Sequence, residues 1–418
     1  LLAEEGLLSF EDPVRRHIPE LRFADPYITE NLTIRDLLTH RSGLPLGAGD
    51  LLFWPQGDAP FTDILKVLST IEPVAGFRNE FLYNNILYLV AGEVVARVSD
   101  MPWTDYIESR IFEPLGMRRC RANYQRASKL DNLAVPHMFS DGEIKPTFDG
   151  GEAVGAAGAI NCSMKDLARW AAMWTREGQM PDGSPFISKK TYAMLTKPVT
   201  PLSPSALQSA HARSLFRSYA HGWFTSDYRG HRIIEHGGTL HGVMSRMLIV
   251  PDKDLAIVAS GNQWTQAANA SVFALLDLML GDDSTDWVEL YANQSSNEPP
   301  TAKKISRQRP VRSLETYEGT YSDRWFGDAV VSRRGRNLFM SMSRSKVLKG
   351  PMTPVGPDRF VVRWQDRTLN ADAYVLFRPD ASGQIERIEM EWVDPDTDFS
   401  YDFHNLDLRR KGSDEAQE

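Results

Sequence analysis

Leu32-Thr33-Ile34-Arg35-Asp36-Leu37-Leu38-Thr39-His40-Arg41-Ser42-Gly43-Leu44-Pro45 is the stretch on which the reading of this chain turns. Thr33 to Thr39 reads as a short helix, and His40 and Ser42 just beyond it invite attention as a His/Ser pair. Outward from there, Phe61 to Ile71, Asn85 to Ser99 and Thr104 to Phe112 also carry helical patterns. Within Asn85 to Ser99, Ile86, Leu89, Val90 and Val94 recur at helical spacing and make one apolar face. Ser163 is an N-cap for a further helix that stops near Gly178. Then the period changes to two: Tyr219 to Phe224, His231 to His236, Val243 to Val250 and Leu255 to Ser260 read as strands, with Asp252-Lys253-Asp254 as the clearest turn. Leu255 to Ala259 is apolar on both faces, which predicts a central strand covered on both sides. A helix from Thr265 to Leu280 follows. The expectation is an α/β (α+β) unit: an antiparallel sheet flanked by helices, plus a helical portion.

Residues 293–312, with Gln-Ser-Ser-Asn-Glu-Pro-Pro and Gln308-Arg309-Pro310, have linker composition. Beyond them, Asp328 to Ser332, Asn337 to Ser341, Arg359 to Trp364, Ala373 to Phe377 and Ile385 to Trp392 are short alternating segments separated by turns. They predict a small all-β module, a barrel or a sandwich. The expected organisation is therefore 1–292, a linker at 293–312, and a β module at 313–418 whose tail from Gly412 is disordered.

Composition bounds the function. The chain has 418 residues, is 42% apolar and 24% charged, and carries 47 − 55 = −8 net charge. That profile excludes pervasive disorder and fibrous architectures. Ile86 to Ala96 is the best apolar run and Glu93 interrupts it, so no transmembrane segment is expected. Residues up to Glu298 hold 27 basic and 36 acidic groups, and the remainder 20 and 19. Neither part has the basic excess that nucleic-acid binding requires. Cys120 and Cys162 read as free, buried small hydrophobes, with one disulfide as the alternative, and do not decide the compartment. No CxxC, HExxH, G-x-S-x-G or glycine-rich phosphate loop occurs, so neither a zinc site nor a nucleotide site has support.

Two triplets stand out, Tyr83-Asn84-Asn85 and His236-Gly237-Gly238, and each is weak alone; Tyr291-Ala292-Asn293 repeats the first beside the linker. Their surroundings strengthen them. Residues 32–45 resemble the "LTIRDLLTHTSGLP" segment of the serine β-lactamase-like hydrolases, the superfamily of class C β-lactamases, penicillin-binding proteins, D-aminopeptidases and related esterases. Gly6 to Val14, Tyr83-Asn84-Asn85, Ile111 to Met117, Gly155 to Gly158 with Ser163 and Asp166, His236-Gly237-Gly238, Gly242 to Ser245 and Pro251-Asp252 are similar to further family segments in the family's order. The resemblance covers roughly residues 1 to 281. Tyr317-Glu318-Gly319-Thr320-Tyr321 resembles the opening of the lipocalin-like β domain that follows some of these hydrolases.

The resemblance implies a serine hydrolase that works through an acyl-enzyme on an ester, a D-amino-acid peptide or a β-lactam, with no cofactor and no metal. It assigns Tyr83 to the proton relay, where a phenol of ordinary pKa ~10 needs nearby cations to act as a base. Asn85 would bind the substrate amide, and His236, where the family has K-T-G or H-x-G, would offer a donor or partial positive charge in place of Lys. Gly237 and Gly238 would let the strand approach substrate, and the Thr239 N–H would be an oxyanion donor. His40 and Ser42 fall in a structural loop, and Glu235 reads as a solvated or supporting carboxylate. The only S-x-x-K is Ser343-Arg344-Ser345-Lys346, inside the β module and out of family order. Leu1 to Gly6 resembles the last turn of the family's nucleophile helix, so the expectation is a chain truncated just after its nucleophile and inactive as it stands. The alternative is a non-catalytic relative that recognises peptidoglycan-type ligands or a protein partner. The expected partner is a small-molecule or peptide substrate; the oligomeric state is not legible. Family habit implies a periplasmic or extracellular location, with no signal peptide in this sequence and a cytoplasmic one left open.

Overall fold

The computed structural model describes residues 1–148, 154–282, 284–294 and 306–412. The stretch from Leu32 forms one helical turn, Ile34–Leu37, because Thr33 and Asp36 cap each other. The buried Asp36 carboxylate accepts from the Thr33 N–H at 3.0 Å and the Thr33 hydroxyl at 2.7 Å, and pairs with Arg78 at 2.6 Å and Arg41 at 3.2 Å. Burial alone would raise its pKa, but the bonds from Arg78 and Thr33 outweigh that and lower it. Leu1 to Gly6 forms a hydrogen-bonded turn: the Leu7 and Gly6 N–H groups donate to the Leu2 and Ala3 carbonyls at 3.0 and 3.1 Å, with Gly6 at φ +75°. These are the paired bonds of a Schellman motif.

The longer helices are Phe61–Leu68, Ile86–Ser99, Met164–Thr175 and Ala267–Leu280. Ser163 caps the third through the Asp166 N–H. In Ile86–Ser99 the buried face is Ile86, Leu87, Val90 and Val94; Leu89, expected on it, is half-buried and faces Gly155. The pattern expected as one helix over Thr104 to Phe112 is helical over Trp103–Ile107 and widens to a π-turn over Glu108–Phe112.

A hairpin, β1 (His137–Ser140) and β2 (Glu143–Pro146), precedes a six-stranded antiparallel sheet of β3 (Thr200–Leu202), β4 (Arg217–Tyr219), β5 (Phe224–Tyr228), β6 (His231–Leu240), β7 (Val243–Val250) and β8 (Leu255–Gly261), in that spatial order. Tyr219 to Phe224, expected as a strand, is instead the turn between β4 and β5. Gly222 takes φ +81° and the Ala220 N–H donates to the Trp223 carbonyl at 2.7 Å, so Tyr219 and Phe224 become cross-strand partners. β8, expected at the centre, lies at the end of the sheet. Its two apolar faces reflect two helical layers: Ala256 packs with Trp174 of Met164–Thr175, and Leu255, Ile257 and Ala259 with Phe273 and Leu276 of Ala267–Leu280.

Cys120 and Cys162 are not free thiols: they form a disulfide, closing a sequence separation of 42. Their neighbours Arg121 and Asn161 exchange backbone hydrogen bonds of 2.8 and 2.9 Å, which sets the two cysteines side by side.

After the linker, β9 (Gly319–Asp323), β10 (Gly327–Arg334), β11 (Asn337–Met342), β12 (Lys349–Gly356), β13 (Arg359–Val362), β14 (Ala373–Pro379), β15 (Ile385–Trp392) and β16 (Leu408–Arg410) close into a barrel through the β16–β9 pair. Closure removes the open edges a sheet otherwise presents. Tyr317 and Tyr321 are buried, and the Tyr321 hydroxyl donates to the Tyr317 carbonyl at 2.9 Å. Gly319 between them sits at φ +154°, where a Cβ would lie 3.1 Å from the Arg410 guanidinium. Large side chains including Phe326, Met340, Phe360 and Phe377 are buried in this unit. The expected linker falls partly, and the tail from residue 413 wholly, outside the described residues.

The barrel docks onto the first unit along residues 47–63 and the β1–β2 hairpin. Ser345 donates to the Pro55 carbonyl at 2.6 Å and Arg344 pairs with Asp63 at 2.8 Å. Ser140 donates to the Arg367 carbonyl at 2.6 Å, and Thr147 and Thr368 share a bond of 2.9 Å.

Candidate active site

Tyr83 precedes the helix Ile86–Ser99, and the backbone around it is held by the loop after the first helical turn. The Leu82 N–H donates to the His40 carbonyl at 2.8 Å, the Asn84 N–H to His40 Nδ1 at 3.1 Å, and the Gly47 N–H to the Tyr83 carbonyl at 3.0 Å. The His40 ring then stacks on Tyr83, centroids 4.0 Å apart. Because Nδ1 accepts, the ring proton resides on Nε2. Burial, with His236 adding to it, pushes the His40 pKa down to about 3, so the ring is neutral. Ser42 accepts from the Leu44 N–H at 3.2 Å, a local turn bond.

His236 reaches the same place from β6, its ring centroid 6.4 Å from that of Tyr83. β5 pairs with β6 only as far as Glu235, whereas β7 pairs with it through Leu240. From His236 to Leu240 the strand therefore has no β5 partner along one edge. Gly238 and Thr239 are exposed there. A Cβ at Gly238 would stand 2.8 Å from Ser245 Oγ, and one at Gly237 3.2 Å from the Ser245 carbonyl. At Gly237 the neighbour is backbone, so a side chain is disfavoured on the β7 side, whereas at Gly238 only the Ser245 hydroxyl would have to move.

The electrostatics are those of uncharged groups. His236 Nδ1 lies 2.6 Å from the Gly237 carbonyl, which can only accept, so Nδ1 carries the proton. Its Nε2 accepts from the Tyr219 hydroxyl at 3.2 Å. Burial lowers the His236 pKa. Desolvation thus works against the imidazolium, and both ring nitrogens have partners within the protein. Burial, reinforced by Asp50, pushes Tyr83 up to about 12, away from the lowered value a phenolate base needs. Glu235, expected as a solvated or supporting carboxylate, is not solvated: it is fully buried and ion-paired with Arg246.

Three participants escaped the sequence reading. Tyr219 is fully buried and links His236 to Tyr88, whose hydroxyl donates to the Leu38 carbonyl at 3.0 Å. Asp50 accepts the Asn85 amide at 2.9 Å. Phe399, from the loop after β15, packs edge-on to Tyr83 at 5.9 Å. Nothing in local sequence marks any of them. The isolated S-x-x-K match lies elsewhere: Ser343 is exposed in the turn after β11 and caps the Asp328 N–H, while Ser345 and Arg344 dock the barrel.

An antiparallel sheet between helical layers, with a Tyr-Asn-Asn loop facing a His-Gly-Gly strand, defines the β-lactamase/transpeptidase class of fold. Residues 1–277 match the family described as Beta-lactamase, and the chain belongs to that family. Residues 303–410 match a Domain of unknown function (DUF3471). Among curated proteins the chain is 28% identical over 400 residues to unguisins hydrolase ungD' of Aspergillus campestris, covering 87% of this chain and 71% of that protein. It is 25% identical over 255 residues to penicillin-binding protein 4 of Amycolatopsis lactamdurans, covering 60% of this chain and 64% of that one. Among solved structures, the octameric penicillin-binding protein homologue from Pyrococcus abyssi aligns with a TM-score of 0.60 at 19% identity, over 98% of this chain and 84% of that one. At that identity the likeness concerns the fold.

Proposed function

We propose that this chain supplies the proton-relay and substrate-binding walls of a serine acyl-transfer site, acting on an ester, a D-amino-acid peptide or a β-lactam. The observation that carries the proposal is the convergence of Tyr83 and His236, from distant parts of the chain, at the unpaired edge of β6. Tyr83 is the relay group, Asn85 binds the substrate amide, His236 holds a neutral donor–acceptor position, and Thr239 N–H is an oxyanion donor beside Gly237 and Gly238. The neutral His236 favours esters and peptides over ligands anchored through a carboxylate. The attacking serine is not assigned to any residue of this sequence. The names of relatives as hydrolases support the reaction class. A periplasmic or extracellular site of action fits the Cys120–Cys162 disulfide, since such bonds persist in oxidising compartments.

The raised Tyr83 pKa favours a second reading, a non-catalytic relative that binds peptidoglycan-type ligands or a protein partner. The test compares residues 1–418 with the full gene product. The 418-residue chain should neither hydrolyse a p-nitrophenyl ester nor be acylated by a labelled penicillin. A gene product carrying an additional S-x-x-K segment should do both, and Tyr83→Phe should then lower kcat by about 10²–10⁴-fold. Covalent labelling of Ser343, or a full gene product that binds penicillin reversibly without turnover, overturns the enzymatic reading.

A further inference from the structure

The barrel touches the Tyr83–Asn85 loop through a short relay of side chains. Ser400 Oγ, in the loop between β15 and β16, donates to Asp50 Oδ2 at 2.8 Å. The Asn85 amide donates to the same oxygen at 2.9 Å. Asp50 is fully buried, and its Oδ1 has no hydrogen-bond partner. The turn that carries it is gripped from the barrel side as well, because the Asp402 carboxylate accepts the Gly49 and Leu51 N–H groups at 2.8 and 3.0 Å. Between these two contacts Phe399 lies against Tyr83 and over Gly47, where a Cβ would come within 2.8 Å of its ring.

We propose that Asp50 and Ser400 are positioning residues for Asn85, so that the barrel orients the amide group that binds substrate. This rests on the acyl-transfer reading and on the role of Asn85 within it. The physical argument concerns rotamers. An Asn amide can swing about its terminal torsion at little cost, and a substrate that hydrogen-bonds it must first select one orientation. The Asp50 oxygen accepts one amide hydrogen and thereby fixes which way the carbonyl and the second N–H point. Asp50 is in turn held by Ser400, and Oδ1 contributes no competing bond. Removing the Ser400 hydroxyl frees the carboxyl, and with it the amide, without touching any group that meets substrate.

The experiment uses the full gene product and two p-nitrophenyl esters: that of N-acetyl-D-alanine, which carries an amide for Asn85, and the acetate, which carries none. Ser400→Ala should raise KM for the first about fivefold, the worth of one neutral hydrogen bond, while kcat stays within twofold. KM for the acetate should move less than twofold, and Ser400→Thr should restore the first value. Equal shifts for both esters, or no shift for either, would overturn the relay. A wild-type protein that hydrolyses neither ester overturns the acyl-transfer reading instead. In that event a double-mutant cycle of Ser400→Ala and Asn85→Ala on the urea stability of residues 1–418 judges the relay by itself: zero coupling rules it out, and finite coupling retains it as a structural link.

Discussion

Asp402 offers the sharpest test of how the barrel is held against the catalytic-type unit. It is a carboxyl with no exposed surface that grips two backbone N–H groups across the interface. Burial pushes its pKa up to about 7, with the Gly49, Asn405 and Leu51 donors pulling it partway back. In the unfolded chain the same group titrates near ~3.9. The folded state therefore holds the proton more tightly, and its linked stabilisation is complete below pH ~4 and lost as pH rises through ~7. Between pH 5 and pH 8 that loss is roughly 2–3 kcal/mol. Asp402→Asn abolishes the titration, but its amide nitrogen cannot accept, so one of the two N–H groups is left unpaired at every pH. That constant cost is about 1–3 kcal/mol. Asp398, Tyr83 and Tyr401 nearby are present in both chains and cancel, whereas Asp50, raised by burial and then by the Asp402 charge, loses that second influence in the variant and is the one neighbour whose titration changes with it. Equilibrium urea unfolding followed by Trp fluorescence should show the variant's deficit shrinking by roughly 2–3 kcal/mol from pH 5 to pH 8. A deficit that is constant with pH, or that grows toward pH 8, refutes the reasoning.

Three other outcomes follow from contacts elsewhere. Asp36→Asn should cost about 3 kcal/mol in urea unfolding at pH 7, the low end for a broken buried pair because Arg78 is 39% exposed. The lowered Asp36 pKa means the wild-type advantage is present above pH ~4 and fades as pH falls below it. Reducing Cys120–Cys162, or replacing both cysteines by Ser, should remove about 4 kcal/mol on the loop-entropy model for a separation of 42; an unchanged melting temperature under reductant would count against it. Gly238→Ala should cost no more than about 1 kcal/mol, since only the Ser245 hydroxyl has to rotate away. A larger stability loss would mean that β6 and β7 cannot accommodate a side chain at that position.

Short-range signals were legible wherever one local rule decides. Ser163 caps its helix because a side-chain oxygen three residues before the Asp166 N–H needs no tertiary help. The strand patterns over Ala373–Pro379 and Ile385–Trp392 survive because inward and outward positions alternate along most of their length in a closed barrel. Errors arose where two distant surfaces impose the same pattern. Leu255 to Ala259 is apolar on both faces at the end of a sheet, because a helix covers each side. Tyr219 and Phe224 look like one strand and are two strand ends facing each other across a turn. β12 is absent from the expected strands; it carries Pro351 and Pro354, whose carbonyls are still paired, with the Arg363 and Gln308 N–H groups.

The candidate site divides the same way. Sequence alone singled out Tyr83, Asn85 and the His236-Gly237-Gly238 strand as candidates through motifs in family order, and the fold brings Tyr83 and His236 within 6.4 Å of each other by ring centroid. Sequence also determined that the chain joins a mixed α/β unit to an all-β one, since periodicity is a property of consecutive residues. The charge state of the site was decided only in three dimensions. Tyr83, His40 and His236 are neutral because burial removes the water that would stabilise their ions, and burial is set by what the distant chain packs over them. The approach of Phe399, Ser400 and Asp402 to the Tyr83 loop likewise belongs to tertiary structure, since no local rule links a residue near position 50 to one near position 400.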